Sequence, residues 1–254
     1  MTTNPLLIEI LATLDAGFVM RQSGLIPDDW QQTICDLRDA RILMLVCRQA
    51  GKSSTAAAMG VSRMLAFPDT PVIIVCPTER QSNELLRKAR AYLRNLDITT
   101  TILGDATTKI ELSNGSRMLA LPGKPTTIRA FGNSQLIILD EAAFIGDDVY
   151  LATEPMLAAD GQMVMMSTPF GARGLFHAAW TDPTSPWRKI RVTAEQVPRR
   201  YPSHVLASKR ADPLISPRQY AQEYLCEFVD TIDAVFEHEL IQSAVSTDVL
   251  PLYN

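Results

Sequence analysis

The sequence is poor in the residues that mark several functional classes. It has four cysteines, Cys35, Cys47, Cys76 and Cys226, and none forms a C-x-x-C pair. Three of them lie in or beside apolar runs. Buried free thiols in a reducing compartment are therefore expected, rather than a disulfide scaffold or a cysteine metal site. The three histidines, His177, His204 and His238, are far apart and lack metal-ligand spacing, so each reads as a surface or packing residue. No apolar run reaches the length of about 18 residues that a membrane span needs. Glu9 and Asp15 interrupt Leu6–Met20, which argues against a signal peptide. The net charge of −4 shows no basic excess, so bulk charge does not advertise a nucleic-acid partner, although a local patch or a ring of subunits can supply the field. There is no internal repeat or low-complexity segment. With 46% hydrophobic and 20% charged residues, wholesale disorder is excluded. The 254 residues suffice for one large α/β domain or a core with a small satellite.

What the chain does have is concentrated in Ile42–Thr55, ILMLVCRQAGKSST. An apolar run of strand length ends in a turn closing on Gly51-Lys52-Ser53, and a helix pattern follows. Backbone N–H groups of such a turn, with the positive end of the helix, suit a phosphate chain. Lys52 is placed to reach terminal phosphates and the Ser53 hydroxyl to hold Mg²⁺. The first glycine of the general G-x-x-x-x-G-K-[ST] pattern is missing, because Val46 occupies its place.

Further strands read as continuous apolar runs: Arg41–Val46, Pro71–Cys76, Leu136–Glu141 and Gly161–Ser167. Buried parallel strands show this texture. Helices are expected at Leu6–Leu14, with its leucine stripe packed on the core, at Asp29–Arg38, and from Lys52 to about Leu65. A capping box at Thr78–Gln81 opens another over Glu79–Asn95. That last helix carries Arg80, Arg87, Lys88, Arg90 and Arg94 and reads as a solvated face, with a DNA-facing role as the sharper alternative. Ile98–Leu103 reads as a strand. Lys109–Leu112 and Arg117–Leu121 flank the turn pair Asn114-Gly115 and read as a hairpin. After Arg173 the chain is broken by prolines. It offers a strand at Trp187–Val192 and a helix from the capping box at Ser216 to about Phe228. Strands alternating with helices predict an α/β fold with a mainly parallel central sheet flanked by helices. Ligands of such folds bind beyond the carboxyl ends of the strands, where Lys52, Asp140-Glu141 and Ser167-Thr168 all fall. Asp140 suits Mg²⁺, and Glu141 suits a base that orients and deprotonates water. In this context the pair points to an ATPase.

These residues together resemble the large subunit of viral terminases, of tailed phages or prophages, whose N-terminal domain is a P-loop ATPase motor that packages DNA. Cys47-Arg-Gln-Ala-Gly-Lys-Ser-Ser54 resembles that family's variant phosphate loop, which has an arginine and can lack the first glycine. Trp30-Gln31 resembles its adenine-recognition element, Leu139–Ile145 its second motif, and Ser167–Gly171 through Gly174, Phe176 and Trp180 its coupling motif. The resemblance covers about residues 27–230.

It implies a P-loop ATPase core over 1–175, a small C-terminal lid subdomain over 176–232, and a linker, 233–254, leading toward a nuclease domain beyond this chain, with no nuclease activity here. It implies ATP and Mg²⁺ as ligands. Gln31, Gln49, Ala50, Gly51, Lys52, Ser53 and Ser54 would bind the nucleotide, Gln32 rivalling Gln31 for adenine. Ser53 and Asp140 would hold the metal, and Glu141, Lys52, Arg48 and Arg129 would serve catalysis. Arg48 would sense the γ-phosphate, with a salt bridge at the loop base as its alternative. Arg129 would be a finger supplied to a neighbouring subunit, with Arg173 as its rival. Ser167 and Thr168 would couple phosphate loss to the lid. The implied partners are double-stranded DNA, a portal protein and a terminase small subunit. A homo-oligomeric ring is implied when assembled, with a monomer left open for the isolated chain. The implied place is the cytoplasm of an infected bacterium, with no membrane and outside the mature virion. Two other readings stay open: a helicase-like DNA-dependent ATPase, and a nucleotide-switched assembly module that does not hydrolyse.

Overall fold

A computed structural model describes residues 4–123 and 131–229. Three helices come first, α1 (Pro5–Leu14), α2 (Ala16–Gln22) and α3 (Asp29–Asp36). The alternating core follows: β1 (Arg41–Val46), α4 (Lys52–Ala66), β2 (Pro71–Cys76), α5 (Glu79–Asn95), β3 (Ile102–Ala106), β4 (Lys109–Leu112), β5 (Arg117–Pro122), β6 (Ser134–Asp140), α6 (Asp147–Thr153) and β7 (Leu157–Ser167). The chain then gives α7 (Gly174–Thr181), β8 (Arg188–Val192), α8 (Ser203–Ala211) and α9 (Pro217–Leu225).

Among the described residues the strands form one eight-stranded sheet, in the order β3-β4-β5-β2-β6-β7-β1-β8. Six of them, from β5 to β8, run parallel, and β3-β4-β5 is an antiparallel meander on one flank. The mainly parallel α/β architecture is the expected one. β1, β2 and β6 are buried almost throughout, which is why they read as unbroken apolar runs. β7 lies between β1 and β6, so the strand ending in Ser167 separates the phosphate loop from Asp140. Gly115 makes the tight turn before β5 with φ +82°, and a Cβ there would sit 1.9 Å from Asp69 Oδ1.

Four local expectations are corrected. The helix α1 packs on the core through Ile8 and Ala12, while Leu6, Leu7, Ile10, Leu11 and Leu14 are exposed. Ala12, one turn from Ile8, lets the helix approach α4 closely, and Glu9 on the same helix ties it to Thr99 and Thr100. The strand expected over Ile98–Leu103 begins only at Ile102, because the Thr99 and Thr100 amides are taken by Glu9. The helix expected over Asp29–Arg38 stops at Asp36, where Arg38 folds back to donate to the Cys35 and Leu37 carbonyls. The last helix stops at Leu225 rather than near Phe228. Cys226 turns left-handed at φ 56° and its thiol donates to the Val192 carbonyl.

The region after Arg173 is not separate from the sheet: β8 pairs in parallel with β1 over Ile42–Val46. On the basic helix α5, Arg87 pairs with Glu84, and Arg90 and Arg94 both pair with Asp105, so much of its charge is answered within the chain. No helix among the described residues is long and apolar enough to cross a membrane.

Candidate functional site

The site is assembled by the turn after β1. Gln49 and Gly51 are both left-handed, at φ 56° and 102°, and this curls the backbone round to start α4 at Lys52. Gly51 is required for a second reason: a Cβ there would meet Gln31 Nε2 at 2.9 Å. Ala50 is buried. The Ser54 carbonyl accepts from the Tyr92 hydroxyl at 3.2 Å, which fixes the first turn of α4 against α5.

Lys52 is 7% exposed, and its Nζ lies 3.1 Å from Glu141 Oε1. Ser53 Oγ donates to Asp140 Oδ2 at 3.0 Å. Asp140, at the end of β6, is buried, and burial and the neighbouring Glu141 push its carboxyl above the usual range. Glu141 is left-handed at φ 54°, a strained conformation for a non-glycine residue. That turn aims its carboxylate back across the strand ends, where Oε2 accepts from Ser167 Oγ at 3.3 Å. Lys52, Ser53, Asp140, Glu141 and Ser167 thus converge, as expected from the strand-end rule. Thr168 follows Ser167 and is buried.

The remaining expected residues are placed as follows. Gln31 is buried against the phosphate loop. Its Oε1 accepts from the Asp28 amide at 2.9 Å and its Nε2 donates to Thr55 Oγ1 at 2.9 Å. Gln32 instead joins Arg21, Asp15 and Asp36 on the N-terminal helices. Arg48 is exposed and lies 3.4 Å from Glu223 of α9, and Gln49 accepts from Arg200. Arg173 is exposed just before α7. Arg129 lies outside the described residues.

Several residues at the site carry no sequence signal. The Arg48 amide donates to the Glu223 carbonyl at 3.0 Å, and the Tyr201 hydroxyl donates to the Arg48 carbonyl at 2.6 Å. Arg199 Nε reaches Asp28 at 2.6 Å. Helix α9 and the turn before α8 therefore grip the phosphate loop and the start of the Gln31 helix at once. Only a long-range fold, not a local motif, brings these residues together.

A protein-family model described as "Terminase large subunit, T4likevirus-type, N-terminal" matches residues 43–243. The chain belongs to this terminase large subunit family. Solved structures agree with the terminase assignment at the level of fold. The large terminase ATPase domain of Thermus phage P74-26 superposes with a TM-score of 0.68 at 21% identity, over 83% of this chain and 97% of that one. The large terminase of bacteriophage HK97 gives 0.63 at 15% identity, over 80% and 50%. A large terminase from a thermophilic bacteriophage, in complex with ADP, gives 0.61 at 13% identity, over 75% and 49%. The terminase chain described here thus spans about half the length of the last two. No curated protein sequence matches it.

Proposed function

We propose that the chain is the ATPase motor of phage DNA packaging, hydrolysing ATP to move double-stranded DNA into a procapsid as one subunit of a ring. The observation that carries this reading is the convergence of Lys52, Ser53, Asp140, Glu141 and Ser167 at the strand ends. Family membership and the ADP-bound neighbour support nucleotide binding in general.

The turn 49–54 presents backbone N–H groups and the start of α4 to the phosphates of ATP. Lys52 takes the β- and γ-phosphates and in doing so gives up its ion pair with Glu141. Glu141, released, orients the attacking water and takes its proton. One carboxylate, Asp140, and one hydroxyl, Ser53, are adjacent hard oxygen donors; among the described residues there is no cluster of three or more metal-ligating side chains. That donor set fits Mg²⁺ shared with phosphates rather than an all-protein cage. When bound, Mg²⁺ neutralises charge developing on the phosphates. Ser167, in contact with Glu141, and Thr168 report loss of the γ-phosphate to a small lid subdomain, residues 176–232, whose strand β8 links it to the main sheet. Gln31 supports the loop from the adenine side, and Arg48, facing Glu223 in this state, turns toward the γ-phosphate. Arg129 acts on a neighbouring subunit. An arginine finger is worth about 10³–10⁵ in kcat, roughly 4–7 kcal/mol. DNA is held mainly through its phosphates, so the contact is salt-sensitive and largely sequence-blind. The portal protein and the terminase small subunit are the partners, in the cytoplasm of the infected bacterium.

A helicase-like DNA-dependent ATPase is the second reading, since the same phosphate loop and Asp140-Glu141 pair would serve it. ATPase assays decide between them. Turnover should require portal and duplex DNA together, and should vanish in Glu141→Ala. Mixing Lys52→Ala with Arg129→Ala subunits should restore turnover from two inactive parents. A wild type inactive in every assembly, with Glu141→Ala no different, overturns the motor reading. Stimulation by single-stranded nucleic acid alone favours the helicase reading.

A further inference from the structure

A cavity of about 390 Å³ opens at the end of the sheet opposite the phosphate loop. It lies under the C-terminal half of α4, between α1, α3 and the start of the parallel run of β7. Two guanidinium groups line it, Arg38 and Arg63, together with Ser62, Gln162, Met59 and Phe67. Among the described residues neither arginine forms an ion pair. Arg38 spends three hydrogen bonds on the carbonyls of Leu14, Cys35 and Leu37, which fix its head at the cavity wall. Arg63 donates through Nη2 to Gln162 Oε1 at 3.2 Å and lies over the Phe67 ring, 5.2 Å from its centroid. Its Nε and Nη1 have no hydrogen-bond acceptor among the described residues.

Arg63 is half-buried. Burial and the nearby Arg38 both disfavour its charge, and only Asp160, which also accepts from Gln135, works the other way. Arg38 is exposed, so water and its three carbonyls already meet its charge; the uncompensated cost falls on half-buried Arg63, and an anion in the cavity would offset it. Guanidinium forks match the oxygens of phosphate in pairs. The volume lies in the range of small-ligand pockets.

We propose that this cavity binds a small phosphate anion, free or as the end group of a nucleoside monophosphate, with Arg38 and Arg63 as its clamp. Met59 and Phe67 offer an apolar wall to whatever the phosphate carries.

The test uses the full chain as the Lys52→Ala variant, so that phosphate binding at the loop after β1 is removed. Thermal unfolding is followed with inorganic phosphate and, separately, with AMP. For a domain of this size a ligand at one hundred times its Kd raises Tm by about 5–10 °C. That rise is expected with at least one probe, and it should disappear when Arg63→Gln is added. Arg63→Lys, which keeps the charge but not the fork, should weaken binding about tenfold or more. Equal response to the two probes identifies free phosphate as sufficient; a preference for AMP assigns the apolar wall to the base. Arg63→Gln on the otherwise native chain should still bind ATP, which establishes that the variant is folded. No shift with either probe, a shift that survives Arg63→Gln, or the same shift with sodium chloride at equal ionic strength would overturn the proposal.

Discussion

Replacing Gly51 with alanine tests how the phosphate loop is held. Gly51 sits at φ 102°, and the new Cβ would meet Gln31 Nε2 at 2.9 Å. A left-handed non-glycine residue costs about 1–2 kcal/mol. The amide of Gln31 cannot move aside freely, because it bridges the Asp28 amide and Thr55 Oγ1 at 2.9 Å each. Losing two hydrogen bonds of about 0.5–1.5 kcal/mol adds about 1–3 kcal/mol. The sum is about 2–5 kcal/mol, or a fall in Tm of about 4–20 °C for a domain of this length. The decisive measurement is a double-mutant cycle with Gln31→Ala, read by thermal or denaturant unfolding. Once Gln31 is truncated, the clash is gone and Gly51→Ala should cost only its backbone share, about 1–2 kcal/mol. Additive effects of the two substitutions would refute the argument that Gln31 and Gly51 are packed as one unit.

Three other outcomes are expected. Burial tends to raise the Glu9 carboxyl, but hydrogen bonds from Thr99 and Thr100 outweigh it and hold it below its usual 4.5. A depressed folded value means stability that is present above the unfolded value and lost as pH falls through the folded one. Glu9→Gln should therefore lower Tm at neutral pH, and the gap from wild type should shrink in unfolding scans taken below about pH 4. Asp140 is pushed the other way by burial and Glu141, so its charge opposes folding at neutral pH. Asp140→Asn should raise the Tm of the nucleotide-free protein while abolishing Mg²⁺-dependent hydrolysis; calorimetry showing a lower Tm would contradict this. Glu223→Ala removes an exposed ion pair worth about 0–1 kcal/mol, so Tm should barely move. Freed from it, Arg48 should tighten binding of a non-hydrolysable ATP analogue more than of ADP, as titration calorimetry can read.

Much of the framework was legible because each decisive element has a local cause. β1, β2 and β6 are buried on both faces, so Ile42–Val46, Val72–Cys76 and Leu136–Leu139 are unbroken apolar runs, a pattern that cannot be mistaken for a surface strand. The strand-end rule then placed Lys52, Asp140, Glu141 and Ser167 together. The orientation of α1 was not legible. A leucine stripe reports that a helix is two-faced, but which face meets α4 depends on Ile8, Ala12 and the anchor at Glu9, and the anchor's partners lie 90 residues away. The seating of Arg48 on Glu223, 175 residues along the chain, was equally invisible. It arises because β8 pairs with β1 and delivers α9 to the loop. The same pairing is why the region after Arg173 is tied to the main sheet rather than hanging beside it.

The two ends of the sheet have a consequence for assembly. β8 and β3 are its outer strands, and an open strand edge is a template on which another chain can add. On β8, Arg188, Lys189 and Arg191 put three cations on a five-residue strand. Arg191 also reaches over to cap the Leu225 carbonyl, which covers part of that margin with α9. On β3 a single carboxylate, Asp105, is drawn into two arginines of α5. Stacking two such margins would bring like charge against like charge on one side and would break ion pairs on the other. In the proposed ring, contacts through side chains and loops rather than paired edges would let neighbouring subunits shift against one another without tearing a shared ladder of backbone hydrogen bonds.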